Sequence, residues 1–227
     1  MNTVSEESTE KPKICVTAFK LMNIKTESYR NAIITADDFD ALAEIFLKHA
    51  VIKVRSMFYR LREIEFYLFS ENHKDSYAHQ QDGLKKYGEV YLHRHNNGTF
   101  KNGNYKSMDL TLGNESRWFG ILVRGLNIIS GDLETSIDGP CLCVNHMLTQ
   151  YGVTDVQSYC NEFGDPTASH FATVYYSQQP WTESEIINGP RIGLSERYPD
   201  FKERKYRYGL SGHRYKKRFC INVQIEI

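Results

Sequence analysis

The spacing of apolar side chains changes from helical to extended within the first third of the chain. Phe39, Leu42, Ala43 and Phe46 recur at i, i+3, i+4 and i+7, and Thr35 with Asp38 resembles a capping box ahead of them, so an amphipathic helix ending near His49 is expected. From residue 51 the period falls to two. Segments 51–58 and 59–69 read as strands with little turn chemistry between them, either a long bent hairpin or a bulged pair. In the second strand Ile64, Phe66 and Leu68 share one face, and Glu63, Glu65 and Tyr67 share the other. The apolar face is core. The acidic face borders water, a partner or a cleft; solvated glutamates on a half-exposed sheet are the plain alternative to a site.

Residues 70–120 are rich in Gly and Asn and carry Tyr77, His79, Tyr87, Tyr91, His93, His95, Phe100, Tyr105 and Trp118. They read as loops borne by a rigid sheet, where function concentrates. Residues 120–124 read as a buried strand ending on Arg124, whose guanidinium needs a carboxylate or phosphate acceptor. Asp138-Gly139-Pro140 opens a helix with a Val144, Met147, Leu148 and Tyr151 stripe; Asp138 is its expected cap and Gly152 its stop. Further on, 161–169 reads as loop, 173–176 as a short strand, 188–194 as a turn leading into a strand, and 219–227 as a closing strand.

Composition narrows this picture. The chain has 227 residues, 41% of them hydrophobic, enough for one substantial core. Residues 1–12 have almost no apolar side chain and are expected to form a disordered tail, leaving 13–227 as one domain. No apolar run approaches the ~20 residues of a membrane span, and the polar start is unlike a signal peptide, so an intracellular protein of nucleus or cytoplasm, with no membrane partner, is expected. Cys15, Cys141, Cys143, Cys160 and Cys220 have neither disulfide-framework nor zinc-site spacing, and no metal or other cofactor is expected. Net charge is zero, yet residues 201–218 hold eight Lys or Arg against Glu203, a local charge of +7. Interleaved with Tyr206, Tyr208 and Tyr215, this segment suits phosphates and bases, or else forms a solvated face paired with the acidic remainder.

Taken together, Arg62-x-x-Glu65-x-Tyr67-Leu68, the downstream His79, Ile121-Leu122-Val123-Arg124, the helix opened by Gly139-Pro140, Pro190-Arg191-Ile192-Gly193-Leu194 and Lys205-Tyr206-Arg207-Tyr208 resemble the alkyladenine (methylpurine) DNA glycosylase family. The co-linear set carries the resemblance, from about residue 39 to 208. It implies an α+β fold, a single mixed domain with a curved antiparallel sheet flanked by helices, of the formyltransferase C-terminal-like barrel kind. It also implies a monofunctional hydrolase of base excision repair, which rotates a modified base out of DNA and cleaves its N-glycosidic bond without metal or covalent intermediate. Glu65 falls on the water-activating position, where a nearby anion stabilises positive charge growing on the sugar, and Arg124 on one that supports Glu65 or the adjacent phosphate. Tyr67 and His79 fall on base-stacking positions, and His93, Tyr105 and Asp109 on other positions of the base pocket. Arg94, Lys101, Arg191, Lys205 and Arg207 are the expected nucleic-acid contacts, and the protein is expected to act as a monomer.

Two departures stand out. The region aligned with the family's wedging hairpin, 91–105, is hydrophilic, with Asn102 or a neighbour at the wedge, and a polar tip fills a vacated base stack poorly. Asp109 replaces the pocket asparagine that helps to reject guanine. Three readings therefore stay open: a nucleic-acid N-glycosidase; an enzyme for a small nucleoside, nucleotide or modified base, with His93, Arg94 and His95 gripping a phosphate; and a binding module without turnover.

Overall fold

Two 14-residue strands form the middle of the described sheet; five other strands pair directly with them, and three more hang on those five. The computed structural model describes residues 29, 30, 32–130, 133–166, 171–177, 179–215 and 219. Cys15, Cys220, the 1–12 tail, Lys216, Lys217, Arg218 and nearly all of the expected 219–227 strand lie outside these. The expected first helix is present: Thr35 caps a 3-10 turn, Ala36–Asp38, that runs into α1, Phe39–His49. Then come β1 (Ala50–Val54), β2 (Met57–Ser70), β3 (His73–Lys74), β4 (Tyr87–Leu92), β5 (Met108–Leu112), β6 (Arg117–Ser130) and β7 (Leu133–Asp138). They are followed by α2 (Pro140–Thr149), α3 (Val156–Phe163), β8 (Thr173–Tyr176), β9 (Ile186–Gly189), the short α4 (Pro199–Lys202) and β10 (Arg207–Leu210). The fold is mixed α+β, built on a large, open antiparallel sheet, and no described helix is long and apolar enough to cross a membrane.

Strands β2 and β6 pair along their whole length. The free edge of β2 takes β1, β10 and β3, while that of β6 takes β5 and β7. The central register slips twice, between Leu61 and Glu63 and between Glu63 and Ile64, so Arg62 on β2 and Arg124 on β6 are the residues without a register partner. Bulges of this kind re-aim side chains. One sheet face is apolar and packs against α1: Ile64, Phe66 and Leu68 are 0% exposed, and the Phe39 ring stacks on Phe66 at 4.6 Å. The other face carries the acids and is only partly covered by α2.

Several expected boundaries move. The β1–β2 turn falls at Arg55-Ser56, inside the expected first strand, and Arg55 takes the left-handed conformation there (φ 55°) without help from Gly or Asn. The strand expected to end on Arg124 continues to Ser130. The expected loop 70–120 contains β3, β4 and β5, and the loop expected at 161–169 begins inside α3, which Asp155 caps. Around 188–194 the order is reversed, strand β9 first and irregular chain afterwards. Gly139, not Asp138, occupies the cap of α2 at φ 108°, because Asp138 is drawn into an ion pair with Arg62 while the Gly139 N–H donates to the Arg124 carbonyl at 2.7 Å.

Candidate functional site

The acids of β2 are buried, not solvated. Glu63 is 4% exposed and Glu65 is 0% exposed. Arg124, turned onto the acidic face at the bulge, sends Nε to Glu63 Oε1 at 3.3 Å and Nη1 to Glu65 Oε2 at 3.4 Å. Arg207 stands opposite Glu65 in register and donates Nε to Glu63 Oε1 at 2.6 Å. Glu65 also accepts the Ile192 backbone N–H at 2.8 Å and the Tyr67 hydroxyl at 2.9 Å. Burial raises the proton affinity of Glu65 above the usual carboxylate range, and Glu63 adds to the rise; Arg124, the Ile192 N–H and Tyr67 oppose it. The Tyr67 hydroxyl is held well above its ordinary value by burial and the Glu65 charge.

Above this network opens a cleft of about 600 Å³. Glu63, Leu122 and Arg124 form its floor, residues 104–107 one wall and the start of α2 the other. Glu65 does not line it. Its register partner Leu122 and its hydrogen-bond donors Arg124 and Ile192 all do. At the rim stand two large apolar side chains, Tyr105 (77% exposed) and Leu142 (52% exposed). Cleft-lining Glu63 is the acid that sequence reasoning passed over, although strand alternation had already put it on the right face.

A second group gathers on β4, β5 and the loops beside them. Tyr91, Asp109, Leu122, Glu65 and Arg207 form one register row across the sheet, which puts Asp109 two strand spacings, roughly 10 Å, from Glu65. Asp109 bonds His93 Nε2 at 2.9 Å, and its carboxylate fills the space over Gly120, where a Cβ would collide with it. The His93 ring lies 4.8 Å from that of His79. Burial, then His93 and Lys101, lower the His79 pKa to about 4. His79 and Lys101 border a separate cavity of about 980 Å³ rather than the first cleft.

Of the expected site residues, the structure thus joins Glu65, Tyr67, Arg124 and Arg207 in one network, sets Tyr105 on the cleft rim, and places His79, His93, Asp109 and Lys101 together next door. Two assignments need correction. Arg191 and Arg207 do not offer free guanidinium groups to a nucleic acid: they are 5% and 2% exposed. Arg191 makes bonds of 2.5 and 3.0 Å to both oxygens of buried Asp75 and lies 4.4 Å above the Tyr67 ring, so its charge is used inside. Elsewhere in the basic segment, Lys202 pairs with Glu196 and Glu203, and Arg204 bonds the Asp200 carbonyl, whereas Lys205 is exposed. Arg94 lies over the Phe100 ring at 3.8 Å. Asp75 and the Ile192 N–H gave no signal in the sequence, because each partners a residue more than 100 positions away.

Fold and site together define an α+β protein with an open antiparallel sheet and an arginine-bridged acid pair under a cleft. No family model matches the chain. It is 33% identical over 197 residues to uncharacterized protein L759 of Acanthamoeba polyphaga mimivirus, an alignment that covers 80% of this chain and 90% of the viral protein. The chain belongs to the family of that protein.

Proposed function

We propose that this protein is an N-glycosidase that takes a modified nucleobase into the cleft over Arg124 and hydrolyses its bond to the sugar. The observation that carries the proposal is the Glu63–Arg124–Glu65 unit beneath a cleft of about 600 Å³. Breaking the bond leaves its electron pair on the base and positive charge on the sugar, while water supplies the new C–O bond and gives up a proton. Glu63, on the lining, presents negative charge to the developing cation. Glu65, with its raised proton affinity, accepts the proton. Because Glu65 is 0% exposed, this role requires the Arg124 side chain, its donor at 3.4 Å, to move when a ligand enters. Tyr105 gives the rim an aromatic face on which a base can stack and Leu142 an apolar edge beside it, which favours a nucleic-acid strand as substrate.

A second reading, a free nucleoside or nucleotide as substrate, is favoured by the burial of Arg191 and Arg207, which removes two cations from the surface that would meet a duplex. Both are tested by offering alkylated, deaminated and undamaged oligonucleotides, and the matching nucleosides, and measuring free base. Glu65→Gln is expected to reduce release by about 100-fold or more while binding persists, and Glu63→Gln to reduce it as well. Unchanged release from Glu65→Gln removes that residue from catalysis. If neither substrate class yields free base, the N-glycosidase reading falls.

A further inference from the structure

The loop between β4 and β5 doubles back on itself over the second cavity. Phe100 bridges to Arg94, His95 N–H donates to the Thr99 carbonyl at 2.8 Å, and Gly98 makes the reversal at φ 84°. Asn97 Oδ1 locks the tip by accepting from Thr99 N–H at 3.1 Å and its hydroxyl at 2.7 Å. Beneath lies a hollow of about 980 Å³ with Arg94, Lys101, His79 and His95 on its lining and no Asp or Glu among the lining residues. Asp109, on the sheet side, is engaged with His93.

Two details show that this lining is incomplete by itself. Lys101 is partly buried and makes no ion pair among the described residues, so burial lowers its pKa against only the more distant pull of Asp109. His79 Nδ1 is buried with no hydrogen-bond partner among the described residues. Arg94 is held from one side by the Gly98 carbonyl at 3.0 Å; its contact with Asp165 at 3.7 Å involves a 59% exposed carboxylate, and such surface pairs are weak. A partly dry, carboxylate-free hollow with two cations is stabilised by an anion that accepts several hydrogen bonds.

We infer that this hollow is a phosphate-binding site, in which Arg94 and Lys101 supply the charge and His79 and His95 line the pocket. The phosphate is that of a free nucleotide or of a strand whose base enters the neighbouring cleft; the recognising chemistry is the same. This inference goes beyond the cleavage chemistry proposed above and does not require it, because inorganic phosphate alone is expected to bind.

The test is to titrate the full chain with inorganic phosphate at constant ionic strength, with chloride as the matched control, while following histidine imidazole resonances. Phosphate is expected to move the His79 and His95 signals, and Lys101→Gln, a change at a partly exposed site, to weaken binding about tenfold. A nucleoside 5′-monophosphate should bind more tightly than its nucleoside, and this difference should shrink in Lys101→Gln. With a single strand, the same substitution should lower the salt slope by about 0.7; a strand that binds no better than the monophosphate identifies the free nucleotide as the source. Imidazole signals unmoved by phosphate, or undiminished phosphate binding by folded Lys101→Gln, would overturn the site. Phosphate binding without base release defeats only the N-glycosidase proposal, and base release without phosphate binding defeats only this one.

Discussion

Glu63 and Glu65 are the same residue type two positions apart, yet their surroundings give them different work. Glu63 accepts from two guanidinium groups and meets the cleft, whereas Glu65 is sealed below and shares its oxygens among Arg124, Tyr67 and a backbone N–H. His79 shows the same dependence on position, and its sign can be worked out. Its folded pKa is about 4 against an ordinary 6.5, so between those values the unfolded chain binds more protons than the folded one. The stability this group allows is therefore complete above about pH 6.5 and is lost as pH falls towards about 4. Denaturant midpoints followed through that window should fall less steeply for His79→Gln than for the wild type. His73 and His146, also lowered by burial, contribute to the remaining slope in both proteins. Parallel curves for the two would rule out His79 as a source of acid sensitivity.

Among the elements, the β1–β2 hairpin is the one whose sequence hides its turn. Arg55 holds a left-handed backbone that costs an L-residue about 1–2 kcal/mol, and its guanidinium lies over the Tyr151 and Phe163 rings at 5.1 and 5.6 Å. Exposed cation–π contacts of this kind return about 0.5–1 kcal/mol each. Arg55→Gly relieves the backbone and loses the rings, so its stability should stay within about 1 kcal/mol of wild type. Arg55→Val keeps the strain and loses the rings, and should cost about 2 kcal/mol by denaturant unfolding. Equal losses in both would mean that the rings, and not the backbone, decide this turn. The contacts also tie the hairpin to α3, so an element missed in the sequence helps to set one that was misplaced there.

Across the whole molecule, the buried Arg191–Asp75 pair clasps chain after β9 to chain after β3. Arg191 also bonds the Phe66 and Phe201 carbonyls, at 3.0 and 3.2 Å, and the next residue along, Ile192, delivers its N–H to Glu65. Arg191→Met leaves Asp75 charged and buried without its cation, so a loss of about 3–5 kcal/mol is expected, with partial recovery in the Asp75→Asn/Arg191→Met double variant. Denaturant unfolding measures both. A loss below about 1 kcal/mol would show that the clasp does not hold this part of the fold.

The sequence by itself determined the features that depend on near neighbours. Period and capping chemistry specify α1, alternation specifies the two faces of β2, and a proline after Gly139 specifies the start of α2, because each reflects side chains a few residues apart. Alternation put Glu65 and Tyr67 on one face and left Arg124 in need of an acceptor, likeness to a family gave the three their expected roles, and the sheet does bring them together. Tertiary structure alone decided that the acids are buried, that Glu63 rather than Glu65 meets the cleft, and that Arg191 and Arg207 face inward. Burial and ion pairing across more than 100 residues follow from which strands lie side by side, and one bulge is enough to turn Arg124 towards both carboxylates.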